Sequence, residues 1–97
     1  MNAIAKITTI LQDQLAAEVV EIVDQTHKHA GHAGRREAPA GSGHYDAIVV
    51  SPQFANKTMM QQHRLVYAAL SDLMQSEIHA LSIKTYTPEQ FQQLQAN

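Results

Sequence analysis

The chain has no cysteine. Disulfides, thiol nucleophiles and thiolate metal sites supplied by this chain alone are therefore excluded, and the absence fits a reducing compartment. Long apolar runs are also missing, since no window approaches the roughly 18 apolar residues of a membrane span. The opening stretch MNAIAKITTILQDQLAAE lacks the unbroken apolar segment and cleavage pattern of a secretory signal. A soluble, cytoplasmic protein is the expectation, with no membrane partner. Nor is there a basic surplus. The formal net charge is -2 with neutral histidines, whereas proteins held by non-specific phosphate contacts usually carry positive excess.

The familiar signatures of catalysis are absent too. Ser51, Ser71 and Ser82 sit in no nucleophile elbow, HExxH does not occur, and no glycine-rich loop joins a strand to a helix. The sequence reads as a non-enzyme.

What remains is a small folded domain. The chain has 97 residues, 44% of them hydrophobic and 16% charged, a balance that separates folded chains from disordered ones. Residues 1–97 are expected to form one domain around one core. Ile4, Ile7, Ile10, Leu11 and Leu15 recur at helical spacing. EVVEIVDQT alternates and is β-branched, with Val20 and Ile22 on one side and Val19 and Val23 on the other, so it reads as a strand. HYDAIVVS, from His44 to Ser51, reads as a second strand, broken by Pro52.

TMMQQHRLVYAALSDLM is the strongest helical stretch, with Thr58 and Gln61 spaced as a capping box. Met59, His63, Val66 and Leu70 share its apolar stripe, which casts His63 as a buried structural residue. Ser71 and Asp72 open a separate short helix. HALSIKTY is a third strand, with Leu81 and Ile83 inward and His79 sharing their parity; periodicity alone thus favours partial burial of His79. Thr87, Pro88 and Gln90 have the cap, first-turn proline and third-position glutamine that start a final helix. The order αββααβα predicts an α+β two-layer domain, with helices on one face of a three-stranded sheet.

Between the first two strands, from about 27 to 43, hydrophobic patterning vanishes and all four glycines occur. This reads as a flexible His/Gly-rich loop. It exceeds the roughly 12–15 residues beyond which loops are usually functional or disordered. Four of the six histidines, His27, His29, His32 and His44, lie in or beside it. Imidazole ligates zinc, copper, nickel and iron, and His27 and His29 would point the same way in an extended segment. A solvated polar loop explains the same residues. Arg64, Lys57 and Lys84 could form a small basic patch, against a default of scattered solvated charges.

FANKTMMQQHRLVYAALSDLM followed by IHALSIKTYTPEQF resembles the BolA family, most specifically in QHRLVYAAL and in HAL at the last strand. VDQTHKHAGHAG and HYDAIVVSPQF add to the match, which runs from the first helix to Phe91. The resemblance implies a fold similar to class II KH domains. It also implies pairing with a monothiol CGFS-type glutaredoxin and a bridging 2Fe–2S cluster, in iron–sulfur trafficking and iron homeostasis. Carried over, the family's histidine ligand at the last strand is His79, against the reading from periodicity. The second ligand falls in the loop between the first two strands: His29 first, with His32, His27 and His44 as rivals.

Because the chain has no cysteine, the thiolates would come from the glutaredoxin and its glutathione, and the isolated protein should carry no cluster. Alone it is expected to be a monomer or weak homodimer. Some bacterial members are described as DNA-binding transcription regulators, so DNA is the alternative partner. However, AALSDLM has no glycine where KH folds carry the GxxG phosphate clamp. An autonomous zinc or nickel site in the loop is a third reading.

Overall fold

The computed structural model describes residues 2–25 and 43–96. Seven elements follow in the order expected from the sequence: α1 (Ala3–Leu15), β1 (Val19–Asp24), β2 (Gly43–Val50), α2 (Met59–Ala69), α3 (Ser71–Ser76), β3 (Ile78–Tyr86) and α4 (Pro88–Ala96). The loop histidines His27, His29 and His32 lie outside the described residues.

Local chemistry sets the boundaries. Asn2 caps α1 by accepting from the Ala5 N–H. The helix stops at Ala16, which takes a left-handed conformation (φ 52°) and donates its N–H to the Leu11 carbonyl. Thr58 and Gln61 form the expected reciprocal capping box. Thr87 and Gln90 form a second one at α4. After β2 the chain makes a short 3-10 turn, Pro52–Phe54, which drops Phe54 into the core with no exposed surface. The sequence had suggested only that Pro52 ended a strand.

β2 is the central strand. It pairs antiparallel with β1 and parallel with β3. Two parallel neighbours require a crossover, and α2 and α3 supply it. The core gathers Ile7, Leu11 and Leu15 of α1, Val66 of α2, Leu73 of α3, and the inward residues Tyr45, Ala47, Val49 and Leu81 of the sheet. Val20, Ile22 and Ile83 pack against it, as their alternation predicted.

The stripe of α2 departs from its sequence reading. The buried positions are Gln62, Val66 and the following Leu70, while Met59 is 69% exposed and His63 only partly buried. A pattern that counts apolar residues passes over Gln62. Yet its side chain donates to the Phe54 and Lys57 carbonyls and accepts from the Thr85 hydroxyl. Those three bonds meet the hydrogen-bonding demand that otherwise keeps an amide out of a core.

Candidate metal centre

Because β2 and β3 are parallel neighbours, both begin at the same end of the sheet. Each has a histidine as its second residue, His44 and His79. The two imidazole rings lie side by side, centroids 4.9 Å apart and planes inclined by 49°.

A register irregularity brings them together. Gly43 is opposite Ile78 and His44 is opposite Ala80, which leaves His79 as an extra residue in the ladder. Such a bulge re-aims the side chain it carries. Ile78 and Leu81 both remain buried on the core side, and His79 is exposed beside His44. Strict alternation had placed His79 on the inward side with Leu81 and Ile83. The bulge overturns that inference, because alternation holds only where the ladder is regular.

The backbone around the rings is well fastened. The Gly43 N–H donates to the Glu77 carbonyl at 3.1 Å, and the Gln25 N–H donates to the His44 carbonyl at 2.7 Å. The Glu77 carboxylate accepts from Lys6 at 2.7 Å, tying α1 to the residue before β3. Asp46 accepts from the Gln25 amide. Burial, then the charges of Asp24 and Glu77, push the Tyr45 hydroxyl above its ordinary pKa.

Two imidazoles can offer two nitrogens to one soft or borderline metal ion. Among the described residues no group of three or more His, Cys, Asp or Glu side chains gathers at one point. The rest of any coordination shell must come from beyond them. Of the basic residues the sequence grouped, Lys84 and Lys57 lie apart: Lys84 lines a groove with Glu21 and Ile48, while Lys57 lines a different cleft with Gln62 and Thr85.

The structure places beside His79 the residue His44, which the sequence reading ranked among the rivals to His29. Its signal was available. Two strands that each start with histidine, joined by helices, become parallel neighbours through a crossover, and their first residues then meet.

The sequence profile of the family described as BolA-like protein matches residues 11–90. SufE-like protein 1 of Arabidopsis thaliana (chloroplastic/mitochondrial) is 38% identical over 80% of this chain and 22% of its own length. The DNA-binding transcriptional regulator BolA of Escherichia coli is 31% identical over 78% of this chain and 67% of its own. The solved structure of BolA1 from Arabidopsis thaliana superposes with a TM-score of 0.77 at 32% identity, covering 92% of this chain and 95% of that one. The chain spans between 22% and 62% of the plant and mammalian relatives it matches.

Proposed function

Since the chain belongs to the BolA-like protein family, we propose that it is a non-enzymatic partner of a monothiol, CGFS-type glutaredoxin and shares a bridging 2Fe–2S cluster with it. The supporting observation is the pair of rings from His44 and His79 at 4.9 Å, at one end of the sheet. The cluster is the cargo of iron–sulfur trafficking and iron homeostasis. Clusters are usually held by thiolates, and histidine can replace cysteine on one iron. A chain without cysteine can offer only that imidazole side. His79 and His44 would hold it, with His29 as the rival second ligand, and His32 and His27 behind it. Cysteine of the glutaredoxin and of glutathione would hold the other iron.

The two histidines make the offer by position. Each sits on a strand whose backbone the sheet already fixes, so little conformational entropy is lost when the rings engage. The same reading places the chain in the cytoplasm, where thiols stay reduced. Among the described residues no helix is long and apolar enough to cross a membrane.

The test is to mix the protein with cluster-loaded monothiol glutaredoxin and record visible circular dichroism. His79→Ala should fold, still bind the apo-glutaredoxin and lose the cluster spectrum. His44→Ala should change that spectrum more than His27→Ala, His29→Ala or His32→Ala. A wild-type spectrum from His79→Ala would sink the assignment, and a larger effect at His29 would transfer the second ligand to it. The purified protein alone should be colourless.

A second reading, a DNA-binding regulator, is favoured by the name of the Escherichia coli relative. The net charge of -2 argues against tight binding held by phosphate contacts. Sub-micromolar, sequence-specific binding at physiological salt would select it.

A further inference from the structure

Among the described residues, no helix lies over the middle of the sheet face turned away from α1 and α2. Its outward residues form two rows across the three strands. Val23, Asp46 and Ser82 make one, and Glu21, Ile48 and Lys84 make the other. Val23 is 55% exposed, and Glu21, Asp46, Ser82 and Lys84 are exposed around a half-buried Ile48. A shallow groove of about 380 Å³ runs over these residues. At the far end the face closes, where the outward Val50 is buried.

The second row carries opposite charges at its two ends. Glu21 stands on one edge strand and Lys84 on the other, with Ile48 between them on β2. Among the described residues the one ion pair is Lys6–Glu77, so neither Glu21 nor Lys84 has an ionic partner there. A two-fold axis along β2, midway between two such faces, exchanges the edge strands. It sets Ile48 on Ile48 and Glu21 opposite Lys84, twice. An isologous interface needs this self-complementarity, and a row with unlike charges either side of an apolar centre provides it.

We propose that this face docks a second copy of the same chain, through Ile48 and two reciprocal Glu21–Lys84 ion pairs. Packed sheets cross at about 30°, so the rows stay in register near Ile48 and diverge away from it. Two residues from Ile48 that divergence offsets the two Asp46 carboxylates by only about 3–4 Å, a like-charge cost that keeps the contact weak, and each also accepts from Gln25. The contact is three strands wide, or about 14 Å at the usual spacing, and so buries less than the roughly 800 Å² per partner of a standard interface. The dimer is weak and reversible, and its ion pairs make it sensitive to salt. This inference does not rest on the iron–sulfur reading, because it is read from association of the protein alone.

Charge exchange tests it. Sedimentation velocity over a concentration series should show a monomer–dimer equilibrium that weakens as salt rises. Glu21→Lys and Lys84→Glu, each alone, set like charges against each other and should raise the dissociation constant by about tenfold or more. An equimolar mixture of the two variants should associate again, because each then meets opposite charges, and so should the double variant. Both positions are exposed, so unchanged melting temperatures should accompany these effects. A monomer at every concentration, a dimer indifferent to both substitutions, or no recovery in the mixture would each overturn the proposal. So would a face occupied by glutaredoxin while the protein alone stays monomeric.

Discussion

At the end of the sheet where β2 and β3 finish, polar side chains are buried and used up. Ser51 has no exposed surface; its hydroxyl donates to the Leu15 carbonyl and accepts from the Gln53 N–H. Gln62 joins Phe54, Lys57 and Thr85 through one amide, and Phe54 plugs the space beneath. At the opposite end, where the same strands begin, the ties are backbone bonds at Gly43 and Gln25 and a partly exposed Lys6–Glu77 pair. His79 stands at the surface there beside His44. One end invests its polar groups in holding the chain together. The other is tied by backbone bonds and two partly exposed or exposed side-chain contacts, and brings two imidazole rings together at the edge. The buried side-chain network and the paired imidazoles thereby lie at opposite ends of the same two strands.

Substitutions along this axis can break the contrast or sharpen it. The largest loss is expected at Phe54→Ala, about 3–5 kcal/mol for a core aromatic truncated to a methyl. Domains hold about 5–15 kcal/mol in all, so a urea melt would show it plainly. Gln62→Ala comes next. It strands two carbonyls and a hydroxyl, at about 1–3 kcal/mol, and His63→Ala at the neighbouring half-buried position should lose less. If His63→Ala proves the worse of the two, the buried face of α2 has been misassigned. Lys6→Ala should lose at most about 1 kcal/mol, since exposed pairs contribute little; the Lys6 and Glu77 side chains are 38% and 30% exposed. Smallest of all, His79→Ala and His44→Ala should each shift stability by no more than about 0.5 kcal/mol. A melting temperature that falls as far for His79→Ala as for Gln62→Ala would dissolve the distinction between the two ends.

The sequence reveals the closed end and the open end unequally. Hydrophobic alternation placed Val20, Ile22 and Ile83 on the correct side, and spacing alone found the capping boxes at Thr58 and Thr87. The break between α2 and α3 was legible at Ser71. Each of these is a local signal, written within a few residues. Gln62 was not legible, because its place in the core depends on Thr85 and Phe54, which lie apart from it in the sequence. The bulge at His79 was hidden for a related reason. It exists only as a mismatch between two strands, and neither strand by itself shows it. His79 reached the candidate site through the resemblance to a family, not through its own pattern. His44 required a step in between, from two histidine-led strands to a parallel crossover to adjacent rings. His27, His29 and His32 lie outside the described residues, so their standing as ligands passes to the spectroscopic test.

The parallel pairing of β2 with β3 has a consequence for when the ring pair exists. His44 and His79 stand at opposite ends of a crossover, and nothing local holds them near each other. They meet only after α2 and α3 have been laid across the sheet and β3 has docked along β2. A nascent, truncated or partly unfolded chain carries both histidines but not the pair. A partner that had to grip both rings at once would therefore be blind to immature chains and engage finished ones. Cargo handed over at this edge would go only to molecules that have completed their fold.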